Sequence, residues 1–325
     1  EMVGVEDVLS LAKKAYDEER LLDVARLLED PLVKESSPAD AAWVARAKKE
    51  AAAASTLYEV LRGGSAVSST WSLWGSRDDD DDWRLSVDSQ GIAVRYRPES
   101  EARFASACVR AEGLPSASLV MTVTNEVDLL GSFMPAFFEA RTLRQVSRFR
   151  QLVWMRARLP PPFAARDVIF DAQGVDCLAG DDPAIMIVVK TPDPADWPGV
   201  ELDAPPDRRD ERCVRAKVIL AGALVEPLSA TSSNLVNVMN IDPVLPALPG
   251  WLFDFLNRKM VWYAFDAFRT QVTRLSSRAQ GGSSVLSSHS GGADFADYRA
   301  RVAQKPEVYD ELHRRLAAVY ERTAN

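Results

Sequence analysis

From Val146 to Ile241 the chain carries a series of segments with two-residue alternation. Past Asp242-Pro243 it runs into a helix, Trp251 to about Leu275, that is apolar on nearly every side. A strand with that period buries one face and shows the other. A helix without a polar side is either buried or covers something apolar. Together they leave few folds open, chiefly an antiparallel sheet with the long helix laid across it, an α+β arrangement. The segments read as strands are Val146–Leu159, Ala165–Val175, Ala184–Lys190, Arg212–Val225 and Asn234–Ile241. Thr191 to Glu211, rich in Pro and Asp, reads as an exposed loop.

Upstream, Trp83–Val87 and Gly91–Arg97 read as strands around an Asp88-Ser89-Gln90-Gly91 turn, with a third strand at Arg103–Glu112. Ser116–Phe138 has helical spacing through Val120, Val123, Val127 and Leu130. Asp7–Glu29 reads as one amphipathic helix. A second starts at Pro38 behind an N-cap at Ser37 and ends before Gly63-Gly64. The pair forms an antiparallel hairpin with no second copy, so it must pack on the main domain. The expected organisation is a hairpin at 1–62, a Gly/Ser/Asp linker at 63–82, a main domain at 83–278, a Gly/Ser linker at 279–292 and a helical tail at 293–325, broken at Pro306. Asp78 to Asp82 lack the spaced oxygens, glycine and closing Glu of a calcium loop and read as a solvated charge run.

A net charge of −8 argues against a general nucleic-acid binder. Three scattered cysteines, Cys108, Cys177 and Cys213, read as reduced thiols of an intracellular protein. No apolar run reaches the ~18 residues of a membrane span. The expected location is cytoplasmic or peripheral to an organelle membrane. Glu1 is not an initiator Met, so a targeting peptide upstream stays open. The two histidines, His289 and His313, both lie in the tail. The main domain therefore holds no Ser-His-Asp, Cys-His or histidine-based metal site. Nor does it carry a glycine-rich nucleotide motif. We expect a non-enzyme with no metal and no cofactor.

Four passages in order resemble the START (StAR-related lipid-transfer) family over about 190 residues, Trp83 to about Leu275. The first is Trp83 with Gly91-Ile92-Ala93-Val94-Arg95-Tyr96-Arg97. The second is Leu159-Pro160-Pro161-Pro162-Phe163-Ala164-Ala165-Arg166-Asp167-Val168. The third is Val214-Arg215 leading to Gly222 and Pro227. The fourth is Asn240-Ile241-Asp242-Pro243 with Leu248-Pro249-Gly250-Trp251-Leu252. The resemblance implies a helix-grip fold, a curved antiparallel sheet around an apolar tunnel. One lipid-like molecule would lie in the tunnel, with the C-terminal helix as gate.

The expected cavity face comprises Met155, Ala157, Met186, Val188, Val218, Leu220 and Met239, with Leu252, Leu256, Met260 and Tyr263 from the helix. Arg166, Arg215, Arg156 and Asn237 are the candidates to orient a polar head. Each apolar face can equally be plain core, since periodicity does not say which face meets a ligand. The expected ligand is a sterol, phospholipid, sphingolipid or pigment, met at a transient membrane surface through the apolar loop Leu245–Trp251 and the aromatic residues after it. If the cavity between the sheet and residues 251–275 is below ~300 Å³, the low end for ligand sites, the lipid-transfer reading fails. The competing readings are a non-catalytic adaptor subunit that docks a protein partner through residues 1–62 or 293–325, and an enzyme on a related helix-grip fold.

Overall fold

A computed structural model describes residues 5–35, 38–62, 83–98, 105–134, 138–159, 161, 163–202, 213–242, 244, 259–279 and 295–323. Its strands are β1 (Arg84–Ser89), β2 (Ile92–Pro98), β3 (Ala105–Leu114), β4 (Phe138–Ser147), β5 (Arg150–Ala157), β6 (Arg166–Cys177), β7 (Ala184–Lys190), β8 (Val214–Arg215), β9 (Lys217–Ser229) and β10 (Ser232–Asp242). They form one sheet in the order β1-β2-β3-β10-β9-β7-β6-β5-β4. Neighbours along this path are antiparallel, and short β8 lies parallel to β6 off the path. The helices are α1 (Val5–Asp17), α2 (Leu21–Leu28), α3 (Pro38–Arg62), α4 (Ala117–Asn125), α5 (Leu130–Phe133), α6 (Val261–Ala279), α7 (Phe295–Gln304) and α8 (Pro306–Thr323). Gln90 and Gly91, at φ 55° and 75°, make the two-residue turn between β1 and β2. That backbone twist matches the right-handed twist of paired strands.

The sheet is covered on both faces. On one face, Ala47, Ala51, Ala54, Leu57 and Leu61 of α3 pack against Met186, Val188, Leu224, Val236 and Val238. The approach is close because β9 carries Gly222 there. A Cβ at Gly222 would stand 2.4 Å from Leu57 Cδ2 and 2.4 Å from the Ile187 carbonyl oxygen. On the other face, α4, α6, α7 and α8 cover Ile92, Val94, Val109, Ala111 and Leu235 through Val120, Val272, Leu275, Leu312 and Leu316. The α+β architecture expected from the sequence, a large antiparallel sheet gripped by helices, is present.

Three local expectations need correction. The single helix at Asp7–Glu29 is two helices, broken where Glu19 takes φ 58°. Tertiary contacts hold the break: the Asp176 amide donates to the Glu19 carbonyl, and Arg148 Nη2 donates to its carboxylate at 2.9 Å. The helix expected to reach Phe138 ends at Asn125. After a short helical turn and α5, the chain enters β4, most of which lies outside the expected strands. β4 is an edge strand with Arg141, Arg144 and Val146 exposed, so it lacks the apolar alternation that marks an inner strand. The segment after β7 is not an open loop through its described part, because Trp197 is only 2% exposed and packs on Leu152, Trp154 and Ile169. The Asp78–Asp82 run lies outside the described residues.

An ionic cluster ties the hairpin to the sheet. Arg150 of β5 donates to both carboxylate oxygens of Asp171 (3.1 and 2.6 Å) and to Glu50 of α3 (3.1 Å), with its guanidinium over the Trp197 ring. The Tyr16 hydroxyl of α1 donates to Glu50 at 2.6 Å. Asp171 and Glu50 are 0% and 3% exposed, so neither charge has water as an alternative partner. Burial alone would raise the Glu50 pKa. The Tyr16 hydrogen bond and the charges of Arg150, Lys190 and Arg46 outweigh it and hold the carboxyl below its usual range.

The cluster yields two testable outcomes. Arg150→Met should cost about 3–5 kcal/mol in urea unfolding, because it strands two buried carboxylates. Arg26→Met, which breaks an exposed pair with Asp23, should cost under about 1 kcal/mol; equal losses would show that the cluster is not what holds the hairpin. A depressed folded pKa gives stability that is complete above the unfolded value, near 4.5, and lost as pH falls through the folded one. Glu50→Gln should therefore flatten the acid limb of the stability profile below that pH, and an unchanged limb would contradict the assignment.

Candidate functional site

Between the sheet and the α4–α5 segment lies an apolar cavity of about 260 Å³. Strand periodicity builds it. β6 presents Val168, Phe170, Ala172 and Gly174 to the cavity. Its intervening residues turn to the other face, where Asp171 meets Arg150 and Val175 joins the hairpin core. β7 gives Ile187 and Val189, and β10 gives Asn237, Met239 and Ile241. β5 gives Gln151 and Met155. The roof is Met121, Thr124 and Asn125 of α4 with Val127 and Leu130. Phe149, in the β4–β5 turn, closes one end above Gly174, where a Cβ would come within 2.8 Å of Phe149 Cβ.

Of the residues singled out by sequence, Met155, Val218, Asn237 and Met239 line this cavity. Met186 and Val188 face the opposite way, into the hairpin core. β7 is apolar on both faces, so alternation defines two faces without saying which one α3 covers. Leu220 also packs toward the hairpin although Val218 lines the cavity. The cause is a bulge: Asn240 pairs with Leu220 and Ile241 with Val218, which leaves Ile219 as the extra residue. One inserted residue reverses the facing of everything beyond it. Ala221 and Ala223 consequently line the cavity, although strict alternation does not mark them. Ala157, at the end of β5, is not part of the described lining.

The arginines proposed to orient a head group are structural. Arg215 donates through Nε and Nη2 to Asp167, both at 3.0 Å, and through Nη1 to the Leu202 carbonyl. Asp167 also accepts from Trp154 Nε1 at 2.9 Å. This cluster fastens β8 to β6. Arg166 donates to the carbonyls of Ala164 and Val244, and Arg156 pairs with Glu139. None of the three lines the cavity.

The C-terminal helix also sits elsewhere than expected. Its described part, α6, packs on β2, β3 and α4 through Phe268, Val272 and Leu275 and does not border the cavity. Met260 is half-buried outside the lining, and Tyr263 is 48% exposed beside the Trp262 ring. Leu252 and Leu256, with the loop Leu245–Trp251, lie outside the described residues. Among the described residues the cover is α4 and α5.

The polar side chains of the lining are uncharged. Gln151 Nε2 donates to the Asn125 carbonyl (3.0 Å) and lies 3.4 Å from Asn125 Oδ1, while Gln151 Oε1 accepts from Thr142. Asn125 Nδ2 donates to the Tyr309 hydroxyl and to Glu126. Glu126, 1% exposed, is held by Tyr309 and Lys305, so the cavity's polar end is tied to α8. Burial and the Glu126 contact push the Tyr309 phenol upward. Asn237 Nδ2 donates to the Gly222 carbonyl at 3.0 Å, and its Oδ1 is buried with no partner. Such an orphan acceptor costs about 1–3 kcal/mol. Cys108 and Cys177 are buried on the hairpin side, and burial pushes both thiols up to about 12.

At about 260 Å³ the cavity falls just short of the ~300 Å³ expected for a ligand site. No described helix is long and apolar enough to cross a membrane.

No family model matches the sequence, and no curated protein is similar to it. Solved structures do match. Human StAR-related lipid transfer protein 5 is 15% identical, with 72% of this chain and 97% of that chain covered at a TM-score of 0.50. Human STARD10 is 18% identical, covering 62% and 76% at a TM-score of 0.48. The Zhui aromatase/cyclase of a Streptomyces species is 14% identical, covering 55% and 98% at a TM-score of 0.33. At these identities the likeness speaks to the fold alone: the chain has a START-like, helix-grip α+β fold.

Proposed function

We propose that the protein binds a single compact hydrophobic molecule in this cavity; at about 260 Å³ the cavity does not meet the size set for lipid transfer, so the reading is of binding. The observation that carries the reading is the cavity itself, apolar over most of its wall and lying between the sheet and a short helical cover. An apolar guest would gain about 2.5 kcal/mol for each 100 Å² it buries. Met121, Met155 and Met239 supply side chains that adapt to an irregular guest. The solved lipid-transfer structure that shares the fold supports the reading by analogy.

The volume narrows the proposal. A two-chain phospholipid or sphingolipid does not fit about 260 Å³ unless the walls move apart, so the occupant is compact. The gate is the α4–α5 cover rather than the described part of the C-terminal helix. A carrier rather than an enzyme is favoured because the described lining has no titratable side chain, and its Thr124 hydroxyl already donates to the Val120 carbonyl. The adaptor reading is weaker, because α3 and α8 bury their apolar stripes within the chain.

Filling the cavity tests this. The neutral fluorophore 1-naphthylamine, with eleven non-hydrogen atoms, should bind saturably at one site. Ala223→Phe should weaken it at least tenfold, while the variant keeps a cooperative urea transition. Unchanged affinity in a folded variant would place the dye elsewhere and remove the support.

A further inference from the structure

The cavity floor is made of rows of residues paired across the strands, and its last row is closed by a side chain from a turn. We propose that Phe149 is the stop that sets the largest guest the cavity accepts. The inference rests on the binding reading above and concerns how that site measures its guest.

Strand pairing defines the rows. Met239, Ala221, Val189, Ala172 and Gln151 lie side by side across β10, β9, β7, β6 and β5, and all five line the cavity. Two residues along each strand, on the same face, comes the row Asn237, Ala223, Ile187 and Gly174. β5 starts at Arg150, which pairs with Gln173, so it supplies no residue to this row. Phe149 of the β4–β5 turn takes the place beside Gly174, whose amide donates to the Phe149 carbonyl at 2.7 Å. Gly174 brings no side chain of its own, and the Phe149 Cβ stands over it.

The following row is Leu235, Val225, Ile185 and Asp176. Leu235 and Val225 belong to the packed core shared with α6 and α8, so the cavity does not extend over them. At the β6 end a second pocket of about 30 Å³ opens, bordered by Asp176, Leu178, Ile185, Leu312 and Arg315. Phe149 and Gly174 border both spaces, so the Phe149 side chain is the partition between them. Beyond it the groups are ionic: Arg315 pairs with Asp176, and Arg148 with Glu19.

The turn that carries the partition is tied down. Arg148 donates to the Glu19 carboxylate and to the Asp17 carbonyl, while the Gly174 amide holds Phe149 from the sheet. Withdrawing the turn would break all three bonds. The size of the side chain at position 149 therefore sets where the cavity ends.

An apolar cavity of about 150 Å³ holds one benzene, so about 260 Å³ suits roughly ten non-hydrogen atoms. The test is displacement of 1-naphthylamine by 1-alkanols of six to twelve carbons. Each methylene should tighten binding about fourfold until the guest has roughly ten non-hydrogen atoms, and the gain should then stop. Phe149→Ala should move that limit at least two carbons longer, and Phe149→Trp at least one carbon shorter. Leu130→Ala, which frees space at the cover near Val127 and Phe170, should leave the limit within one carbon. A limit unmoved by Phe149→Ala in a variant with a cooperative urea transition overturns the assignment, as does an equal shift from Leu130→Ala or a gain that never stops. If Phe149→Ala does not fold, an unmoved limit in Phe149→Trp overturns it. In each of these cases the binding reading stands. If 1-naphthylamine itself does not bind, both fall.

Discussion

Gly222 lets α3 lie directly on β9, with Leu57 where a side chain would otherwise stand, and the rest of the structure depends on that contact. Strands β7, β9 and β10 are apolar on both faces. Such strands must be covered twice or expose a large apolar surface. The N-terminal hairpin covers one face so tightly that Ala47, Ala51 and Ala54 are almost fully buried. On the other face the helices do not settle to the same depth. α4 and α5 bridge over Ala172, Ala221 and Ala223, small residues that leave room beneath. One face is thus solid core and the other holds the cavity.

The buried ionic cluster serves the same division. Arg150 stays charged, so it can lie buried under α3 only with Asp171 and Glu50 beside it, and those carboxylates are left as uncompensated buried charges without Arg150. Tyr16 and Arg46 bring α1 and α3 into the same cluster. The cluster therefore fixes where the hairpin sits as well as helping to hold it there. On the cavity side of the sheet, Glu126 binds Tyr309 and Lys305 next to Asn125. The cavity's polar wall and the C-terminal helices consequently share hydrogen bonds, so a shift in either is felt by the other.

Much of this was legible in the sequence. Periodicity located β6, β7, β9 and β10 to within a few residues, and Ser37-Pro38 with Gly63-Gly64 bracketed α3. The four passages resembling the START family pointed to the right fold class. Which face of β7 meets the cavity was not legible, because Met186 and Val188 are as apolar as Ile187 and Val189. The bulge at Ile219 was hidden too, since nothing in Lys217–Leu224 marks an extra residue. Arg166 and Arg215 carried the right chemistry for a head group, but Asp167 and nearby carbonyls engage them. The useful polar residues, Asn125 and Gln151, are neutral amides in ordinary sequence surroundings. Only their convergence across the β5–α4 gap identifies them.

The central claim is that this cavity holds one hydrophobic molecule. Native mass spectrometry after a mixed-lipid challenge, with extraction and identification of whatever is bound, tests it most directly. The predicted result is a single added mass per chain, abolished by Ala223→Phe and belonging to a compact, uncharged species. A bare protein mass throughout, with the challenge lipids recovered unbound, would contradict it.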